Sequence, residues 1–297
     1  MINRVIRKPS WLTKKHTPFE QTIVTRRIIN NLSLNTVCKS AKCPNMGECY
    51  AKGVATFMIL GKSCTRTCGF CAVDSGFPKG YVDKDEPLKV AKAALEMNLD
   101  HVVVTSVTRD DLDDGGAAVF AKTVASVRNL LPEATIEVLT PDLGGNVANI
   151  NLIADSDPDV FNHNLETVPD LYGVVRPGAI YSRSLDLLRH VKSQYPRIIV
   201  KSGIMLGFGE NVKQVIRLMT DLAGIGLDVL TIGQYLSPSR GNLPVIDYVH
   251  PEVFENLSAE GKKLGIEEVF SGPFVRSSFH AADVLKTLRH RMAEKEF

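Results

Sequence analysis

The sequence contains no apolar run that approaches the roughly 20 residues required by a membrane-spanning helix. The first ten residues also lack the apolar core of a secretory signal peptide. Net charge is small, because 35 basic residues face 33 acidic residues and leave +2. A general affinity for nucleic acid or for an anionic membrane surface is therefore not expected. Together these absences predict a soluble, cytoplasmic protein that binds neither nucleic acid nor membrane.

No linker rich in Pro, Gly or Ser and no low-complexity stretch interrupts the 297 residues. With 44% hydrophobic and 23% charged residues, the chain falls in the ordinary globular class and needs no disulfides for stability. Its six cysteines are an even number, but a reducing compartment disfavours a disulfide framework. The simplest organisation is one folded domain with free thiols.

Three of the cysteines, Cys64, Cys68 and Cys71, stand at Cys-x3-Cys-x2-Cys spacing directly after an apolar run. Three thiolates can hold three irons of a four-iron cube, which leaves the fourth iron without a local protein ligand. That open iron can chelate the amino and carboxylate groups of S-adenosylmethionine. One electron then cleaves a carbon–sulfur bond and releases an adenosyl radical. The spacing, with Phe70 before the last cysteine, resembles the signature of the radical S-adenosylmethionine (radical SAM) superfamily.

A structural zinc site is the alternative for this triad. Zinc requires four closed ligands, usually supplied by paired Cys-x2-Cys knuckles, and the gaps at residues 64–71 do not provide them. An iron–sulfur cluster is therefore the favoured interpretation.

A second triad precedes the first. Cys38, Cys43 and Cys49 stand at Cys-x4-Cys-x5-Cys, with turn-forming Pro44 and Gly47 between them. A radical generator needs only one cluster, so the second triad requires a separate explanation.

From residue 55 onward, short β-rich apolar runs alternate with amphipathic stretches of helical length, a pattern typical of βα units and a parallel sheet. The predicted strands are 55–60, 101–105, 135–139, 160–163, 198–205 and 229–234. The predicted helices are 87–99, 117–129, 184–194, 212–223 and 252–264, and residues from Phe19 onward are a further amphipathic helix candidate. Six units are too few for a closed eight-unit barrel. We expect an α/β fold, a partial (β/α)6 barrel with N-terminal and C-terminal extensions covering its gap or mouth.

Polar clusters follow each predicted strand. In βα barrels the loops at the carboxyl ends of strands form the active site, so these clusters are expected to meet. From their positions at strand ends we predict S-adenosylmethionine contacts from Thr105, Ser106, Asn162, Asn164, Lys201 and Gln234. Simpler roles compete: Lys201 as a surface lysine, His163 as a packing residue, Gly115 and Gly116 as turn formers, and the aspartates of 110–114 as a hydrated loop.

Longer passages resemble lipoyl synthases across almost the entire chain. They include Cys43-Pro-Asn-Met-Gly-Glu-Cys49, Phe161-Asn-His-Asn-Leu-Glu-Thr167, Leu230-Thr-Ile-Gly-Gln-Tyr-Leu236 and Arg276-Ser-Ser-Phe-His-Ala281. The resemblance implies insertion of sulfur at carbons 6 and 8 of an octanoyl chain on a carrier-protein lysine. It also implies that a cluster held by Cys38, Cys43 and Cys49 is dismantled to donate both sulfurs.

The resemblance further implies that a C-terminal serine is the fourth ligand of this auxiliary cluster. The matching segment begins at Arg276, and the serine before the aromatic residue is Ser278. Neighbours in an extended segment point to opposite faces, so only one of Ser277 and Ser278 should be a ligand, and we predict Ser278. Three residues depart from the family pattern: Phe279 replaces Tyr, and Ser237 and Asn242 stand where Gln and His are expected.

These inferences divide the chain into an N-terminal extension (1–54), a radical SAM partial barrel (55–265) and a C-terminal extension (266–297). The expected cofactors are two 4Fe-4S clusters and S-adenosylmethionine. The expected partners are an octanoylated lipoyl-carrier domain, an electron donor protein and cluster-assembly proteins. Two other functions remain open: a different sulfur inserter, such as a biotin-synthase-like or methylthio-transferring enzyme, and a non-enzymatic carrier of electrons with two clusters.

Overall fold

A predominantly parallel sheet forms the centre of the fold in the computed structural model, which describes residues 7–278. The strands are β1 (Asn35–Thr36), β2 (Thr56–Ile59), β3 (Ser63–Cys64), β4 (Asp74–Ser75), β5 (His101–Ser106), β6 (Thr135–Leu139), β7 (Val160–Asn162), β8 (Ile199–Leu206), β9 (Val229–Gln234) and β10 (Glu268–Ser271). Eight of them form one sheet in the order β1-β2-β5-β6-β7-β8-β9-β10, and β3 pairs with β4 separately. Only β1 runs antiparallel to its neighbour. Because β1 and β10 are the sheet's two edges within residues 7–278, the barrel is open.

Helices connect successive strands and cover the outside of the sheet. They are α1 (Ile23–Asn31), α2 (Val37–Ser40), α3 (Met46–Ala51), α4 (Glu86–Glu96), α5 (Ala117–Leu130), α6 (Val147–Ala154), α7 (Tyr172–Val175), α8 (Tyr181–Gln194), α9 (Val212–Gly224) and α10 (Pro251–Lys263). Short 3-10 turns occupy Ser10–Leu12, Phe19–Thr22, Leu143–Gly145 and Pro169–Leu171. Local sequence fixes several helix starts: Asn211 and Gln214 form a capping box at α9, and proline occupies the first position of α10. Among these helices, none combines the length and apolar character required to cross a bilayer.

The two faces of the sheet differ in polarity. On β6, Ile136 and Val138 are buried in the main hydrophobic core, whereas Glu137 between them contacts Asn162 on the adjacent β7 and Lys201 on β8, the strand beyond it. Successive side chains of a strand point to opposite faces, so the outer face packs against the helices and the inner face carries polar groups. The barrel interior is therefore a polar chamber.

The expected fold class is confirmed, and each of the six predicted strands is present within one or two residues of its expected bounds. The sequence analysis did not predict the short strands β1, β3, β4 and β10 or the helices α2, α3, α6 and α7. Strand β10 is only four residues long and begins with Glu268, a buried carboxylate 3.3 Å from Lys262 Nζ, so it lacks the apolar character of a core strand. It pairs in parallel with β9 and adds a seventh parallel strand.

The C-terminal segment after β10 lies over the barrel mouth. Glycines on β8 and β9 provide its space: a Cβ on Gly203 would lie 3.2 Å from Ser277 Oγ, and one on Gly233 would overlap the carbonyl oxygen of Val275. The expected cover of the mouth is thus present up to Ser278. Phe279, which stands where the family pattern has Tyr, lies outside the described residues, as does the rest of the extension to residue 297.

Candidate functional site

The triad of Cys64, Cys68 and Cys71, called here the 64–71 triad, lies in the loop after β2, at the carboxyl edge of the sheet. At its start, the amide of Gly76 donates to the carbonyl of Cys64 (2.8 Å), beside the β3–β4 ladder. At its end, the side-chain amide of Asn242 donates to the carbonyl of Cys71 (2.8 Å). The backbone amide of Leu243 donates to the carbonyl of Gly69 (2.9 Å). Two separate segments therefore hold the two ends of the loop.

An aromatic cluster supports the same loop from the barrel. The ring of Phe208 stacks on that of Tyr235, with the two centroids 4.2 Å apart. The rings of Phe208 and Phe70 meet edge to face, with 6.4 Å between their centroids. Tyr235 donates its hydroxyl to the carbonyl of Leu243 (2.7 Å), next to Asn242. A Cβ at Gly69 would lie 2.8 Å from the side chain of Leu243, so any larger residue at this point of the loop would displace Leu243.

The triad of Cys38, Cys43 and Cys49, called the 38–49 triad, lies on α2, α3 and the turn between them. The amide of Cys43 donates to the carbonyl of Cys38 (3.0 Å), which folds the turn back on itself. Thr36 caps α2, and its hydroxyl hydrogen-bonds with Tyr50 of α3 at 2.7 Å. The hydrogen bond between Thr36 and Tyr50 thereby joins the N-terminal end of α2 to the C-terminal end of α3.

The C-terminal segment contacts this triad directly. Asn45, between Cys43 and Cys49, donates its side-chain amide to the carbonyl of Phe274 (2.8 Å). Lys14 donates to the side-chain oxygen of Asn45 (2.6 Å) and lies 5.0 Å from the centroid of the Phe274 ring. Sequence reasoning linked these regions only by resemblance, and the structure shows them in contact.

One surface segment spans both triads. This segment, residues 237–243, is called the strap. At one end Lys42, beside Cys43, donates to the carbonyl of Pro238 (3.4 Å). At the other end Asn242 holds the 64–71 triad. Asn242, which departs from the family pattern, thus supports the cysteine loop. Ser237, the other departure in the strap, is exposed and donates to the carbonyl of Ser239.

The thiols influence one another electrostatically. All six cysteines are free. Burial, followed by the charges of Cys38 and Cys43, raises the pKa of Cys49 to about 12. Burial raises the pKa of Cys71 to about 12, and the charges of Cys68 and Cys64 act in the same direction. Bound metal reverses this balance, because a coordinated thiol is held as the thiolate.

The donor set of each triad fits an iron–sulfur cluster. Soft thiolates are the ligands that such clusters take, and each triad offers three thiols that lie near enough to influence one another's pKa. In residues 7–278 no group of three or more Cys, His, Asp or Glu side chains converges as the site of a single metal ion.

The predicted S-adenosylmethionine contacts fall into two groups. Ser106, Asn162 and Asn164 lie at the ends of β5 and β7, facing the mouth. The buried Ser106 Oγ and Asn162 Oδ1 have no hydrogen-bond partner among the described residues, and Asn164 contacts Ser277. Such orphaned polar atoms at the chamber wall suit a polar ligand.

The remaining three predicted contacts have no orphaned polar atom; like Asn162, which donates to Glu137, and Asn164, they have protein partners. Thr105 donates to the carbonyl of Leu139 (2.9 Å). Lys201 pairs with both carboxylate oxygens of Glu137 at 3.0 Å and is 2% exposed, so it is not the surface lysine of the simpler interpretation. Gln234 donates to three backbone carbonyls and accepts from Val249. These three side chains are fixed within the wall.

Other residues named from the sequence have structural roles. His163 is buried between the carbonyl of Thr140 (2.8 Å) and Ser184 Oγ (2.9 Å), and burial lowers its pKa to about 4. Asp110 pairs with Arg66, inside the 64–71 triad, at 2.9 Å. Gly116 begins α5 with φ 91°, a conformation that favours glycine.

Sequence reasoning assigned no role to two arginines at the mouth, although Arg276 begins the segment that resembles lipoyl synthases. Arg176 donates to the carbonyls of Asn164 (2.8 Å) and Leu165 (3.2 Å), and its charge lowers the pKa of Cys68 against the raising effect of burial. Arg276 lies close enough to Cys43 and Glu166 for their charges to oppose the effect of burial, which lowers its pKa. Neither arginine follows a predicted strand, which is why the search of strand ends did not find them.

Comparison with known proteins agrees with this geometry. Residues 58–222 match the Radical SAM superfamily. The chain is similar to the lipoyl synthase of Caldanaerobacter subterraneus subsp. tengcongensis, with 53% identity over 93% of this chain and 96% of that protein. It is also similar to the lipoyl synthase of Nitratidesulfovibrio vulgaris (strain DP4), with 50% identity over 97% of each.

Solved structures share the fold. The crystal structure of methylornithine synthase (PylB) aligns with a TM-score of 0.53 and 14% identity over 85% of each chain. This similarity concerns the fold alone.

Proposed function

This chain belongs to the lipoyl synthase family of the radical SAM superfamily, and we propose that its two cysteine triads hold two four-iron clusters with different tasks. The enzyme inserts two sulfur atoms, at C6 and C8, into a protein-bound octanoyl chain to give the lipoyl cofactor. The resemblance found in the sequence is confirmed, as are the expected enzyme class and the need for S-adenosylmethionine and a 4Fe-4S cluster. The second cluster and the residue roles below are proposals.

Cys64, Cys68 and Cys71 hold the radical SAM cluster in this proposal. When bound, this cluster and S-adenosylmethionine supply a radical able to take hydrogen from an unactivated C–H bond, which no general base can deprotonate. The chain's own contribution is to fix the loop, through Asn242, Leu243 and the aromatic cluster of Phe70, Phe208 and Tyr235. The half-buried loop keeps the reaction away from bulk water.

Cys38, Cys43, Cys49 and Ser278 hold the auxiliary cluster, which serves as the sulfur source. The observation that carries this proposal is the contact between the 38–49 triad and the C-terminal segment, made by Asn45 and Phe274. The hydroxyl of Ser277 is already engaged by Asn164, which leaves the following serine as the ligand. A hard serine oxygen is a poorer match than thiolate for an iron–sulfur cluster and suits a ligand that must be released.

Ser106, Asn162 and Asn164 are the S-adenosylmethionine contacts with the strongest support, because they lie at the carboxyl ends of β5 and β7 and because Ser106 Oγ and Asn162 Oδ1 are buried without a partner among the described residues. Thr105, Lys201 and Gln234 are the other proposed S-adenosylmethionine contacts. Their hydrogen bonds to the protein hold the shape of the barrel wall. Glu166 and Arg176 extend it: Asn164 donates to the Glu166 carboxylate (3.1 Å), and Arg176 binds the backbone of the same turn.

The substrate is an octanoylated carrier protein, whose lysine-linked chain has to reach the space between the two triads. An electron donor protein and cluster-assembly proteins are further proposed partners, because each radical needs one electron and a consumed cluster has to be replaced. Six free cysteines favour a reducing compartment, and we propose the cytoplasm.

A mass measurement tests this function. The protein is reconstituted with heavy-isotope sulfide and incubated with S-adenosylmethionine, a reductant and an octanoylated carrier peptide. The expected product has gained two heavy sulfur atoms. A peptide without mass gain would favour a different sulfur inserter, whereas a gain of light sulfur would contradict the cluster as donor. For a mere electron carrier, adding S-adenosylmethionine would leave the electron paramagnetic resonance spectrum of the reduced protein unchanged.

A further inference from the structure

The backbone amide of Thr108 lies next to a sulfur atom of the 64–71 triad. It donates to Cys64 Sγ, with 3.3 Å between nitrogen and sulfur. The amides of Arg66 and Val73 also point at sulfurs of this triad, each at 3.5 Å and each two residues after the cysteine that it contacts. Thr108 is 44 positions away from Cys64 in the chain, so its contact depends on how the fold places the segment around it.

A hydrogen bond to a cysteine ligand affects the redox chemistry of an iron–sulfur cluster. The reduced cluster carries one more negative charge than the oxidised cluster, so an N–H group directed at a thiolate stabilises the reduced form more strongly. Hydrogen bonds to the sulfurs are accordingly one of the factors that set the reduction potential of such clusters. Residues that fix the Thr108 amide against Cys64 therefore influence how easily the cluster accepts an electron.

Thr108 belongs to the turn directly after β5, residues 107–111, called here the 107–111 turn. Thr65, the residue after Cys64, connects this turn to the cysteine loop. The amide of Thr65 donates to the carbonyl of Thr108 (3.0 Å), and the amide of Asp110 donates to Thr65 Oγ1 (3.0 Å). The Thr65 hydroxyl in return donates to the Asp110 carboxylate (2.8 Å). One threonine thus binds the turn on both sides of Arg109.

Arg109 holds the same turn from within the protein. Its fully buried side chain donates to the carbonyls of Leu60 (3.2 Å) and Tyr81 (2.9 Å). The two carboxylate oxygens of Asp111 accept from its guanidinium at 2.7 and 2.9 Å. Because Asp111 neutralises the charge of Arg109 at close range, Arg109 acts on the cysteine loop by position rather than by its own field.

Leu60 is the residue at which the chain leaves β2 for the cysteine loop. Its φ is 68°, a left-handed conformation that is rare for leucine. The Leu60 amide donates to the buried carboxylate of Glu86 (2.6 Å), and its carbonyl accepts from Arg109. Arg109 therefore fixes the start of the cysteine loop and the 107–111 turn relative to each other.

We propose that Thr65 and Arg109 are positioning residues that set the reduction potential of the cluster at the 64–71 triad, because they hold the Thr108 amide against Cys64 Sγ. The step that they favour is the transfer of one electron: an external reductant is oxidised by one electron, and the cluster is reduced by that electron. This inference rests on the proposed function, since it requires a four-iron cluster held by Cys64, Cys68 and Cys71.

A redox titration tests this role. The full chain carrying Cys38→Ala, Cys43→Ala and Cys49→Ala is reconstituted with iron and sulfide, so that a single cluster is observed. It is reduced stepwise with dithionite in the presence of redox mediators and without S-adenosylmethionine. The electron paramagnetic resonance signal of the reduced cluster is recorded at each potential. This chain is the background for all the variants that follow.

Two variants are compared with two matched controls. Thr65→Val removes the hydroxyl that binds Asp110, whereas Thr65→Ser keeps it. Arg109→Lys removes the planar fork that binds Leu60 and Asp111 together. Its control is Arg128→Lys, because Arg128 also pairs with an aspartate (2.9 Å) and donates to a carbonyl (2.7 Å), but at the amino end of β6, the end of the sheet opposite the 64–71 triad.

The ratio of reduced to oxidised cluster is compared at the midpoint potential of the background. We expect Thr65→Val and Arg109→Lys to lower this ratio roughly tenfold, which equals a midpoint potential about 59 mV lower for a one-electron couple. Both controls should keep the background potential. Thr65→Val should also keep the iron content and the thermal unfolding midpoint, which a purely structural role would change instead.

An unchanged midpoint potential in Thr65→Val would overturn the proposal. So would an equal shift in Thr65→Ser or Arg128→Lys, or a loss of iron while the remaining cluster keeps its potential. If Arg109→Lys does not fold, Thr65→Val decides alone, because Thr65 is half-buried and uncharged. Failure of the proposed function shows separately, as absence of a reduced four-iron signal from the background itself.

Discussion

The side-chain amide of Asn164 donates a hydrogen bond to Ser277 Oγ, with 2.7 Å between the two atoms. This contact joins the end of β7 to the C-terminal segment, 113 residues further along the chain. It separates the roles of two adjacent serines, because the hydroxyl of Ser277 is used to anchor the segment. It also connects a proposed S-adenosylmethionine contact to the segment that carries the proposed auxiliary ligand.

The first prediction concerns these serines. Ser278→Ala should abolish sulfur insertion while 5′-deoxyadenosine is still formed, because only the auxiliary cluster loses a ligand. Ser277→Ala removes an anchoring hydrogen bond with a net value of about 1 kcal/mol and should retain most sulfur insertion. Product mass and 5′-deoxyadenosine are measured in the same reactions. The reverse pattern would assign the ligand to Ser277.

The second prediction concerns Asn242. Asn242→Ala removes the side-chain donor to the carbonyl of Cys71 (2.8 Å), and a partly buried acceptor left without a donor costs about 1 kcal/mol or more. The carbonyl of Gly69 loses a longer bond (3.3 Å) but keeps the amide of Leu243 as its donor. We expect the 64–71 triad to retain less iron and to form 5′-deoxyadenosine more slowly. Iron should be counted in a background lacking Cys38, Cys43 and Cys49, so that a single cluster is observed. Ser237→Ala, in the same strap, is the control and should have no effect; equal effects would refute a specific role for the amide.

The third prediction concerns Gly233, which lies beneath the C-terminal segment. In Gly233→Ala the new methyl group would overlap the carbonyl oxygen of Val275 and lie 2.9 Å from Arg276 Nη1. Displacement of the segment should abolish sulfur insertion and leave 5′-deoxyadenosine formation in place. Gly173→Ala is a matched control, because its methyl group would meet no atom within 4 Å. If Gly233→Ala inserts sulfur normally, the position of the segment is not essential.

The fourth prediction concerns the ion pair inside the barrel. Glu137 and Lys201 are 1% and 2% exposed, and Asn162 also donates to the carboxylate (2.8 Å). Glu137→Gln leaves a buried lysine without its counter-charge and should lower the free energy of unfolding by about 3–5 kcal/mol. Asp186→Asn, which removes an exposed ion pair with Arg189, should change it by less than about 1 kcal/mol. Denaturant unfolding of the two variants measures the difference.

The same pair predicts a dependence on pH. Burial alone would raise the pKa of Glu137, but the charge of Lys201 lowers it from 4.5 to about 2. A group with a lowered folded-state pKa stabilises the fold above its unfolded pKa and loses that contribution as pH falls. Stability should therefore decline between about pH 4.5 and pH 2, and the decline should be smaller in Glu137→Gln. An identical decline in both proteins would show that other carboxylates dominate.

The sequence predicted the elements that repeat a pattern. Strands such as 135–139 and helices such as 212–223 were identified because hydrophobic periodicity and capping residues act locally. Strand β10 was not predicted, because it is short and begins with Glu268. It is defined by its pairing with β9, which is a tertiary contact. Tertiary pairing of that kind leaves little local signal.

The candidate site shows the same division. The cysteine spacing predicted both triads, since the ligands of a cluster are close in sequence. The contacts of Asn45 with Phe274 and of Asn242 with Cys71 join residues more than 100 positions apart and leave no local pattern. Lys201 is a further example: it lies near the start of β8, and it is fixed by Glu137 of β6, two strands away, so only the folded sheet brings the two side chains together.

The number of clusters tests the central claim most directly. Iron and acid-labile sulfide are counted per chain in anaerobically reconstituted protein, in the variant Cys64→Ala, Cys68→Ala, Cys71→Ala, and in the variant Cys38→Ala, Cys43→Ala, Cys49→Ala. We predict two four-iron clusters, about eight iron atoms, in the unmodified chain and one cluster in each variant. A single cluster in the unmodified chain would contradict the account.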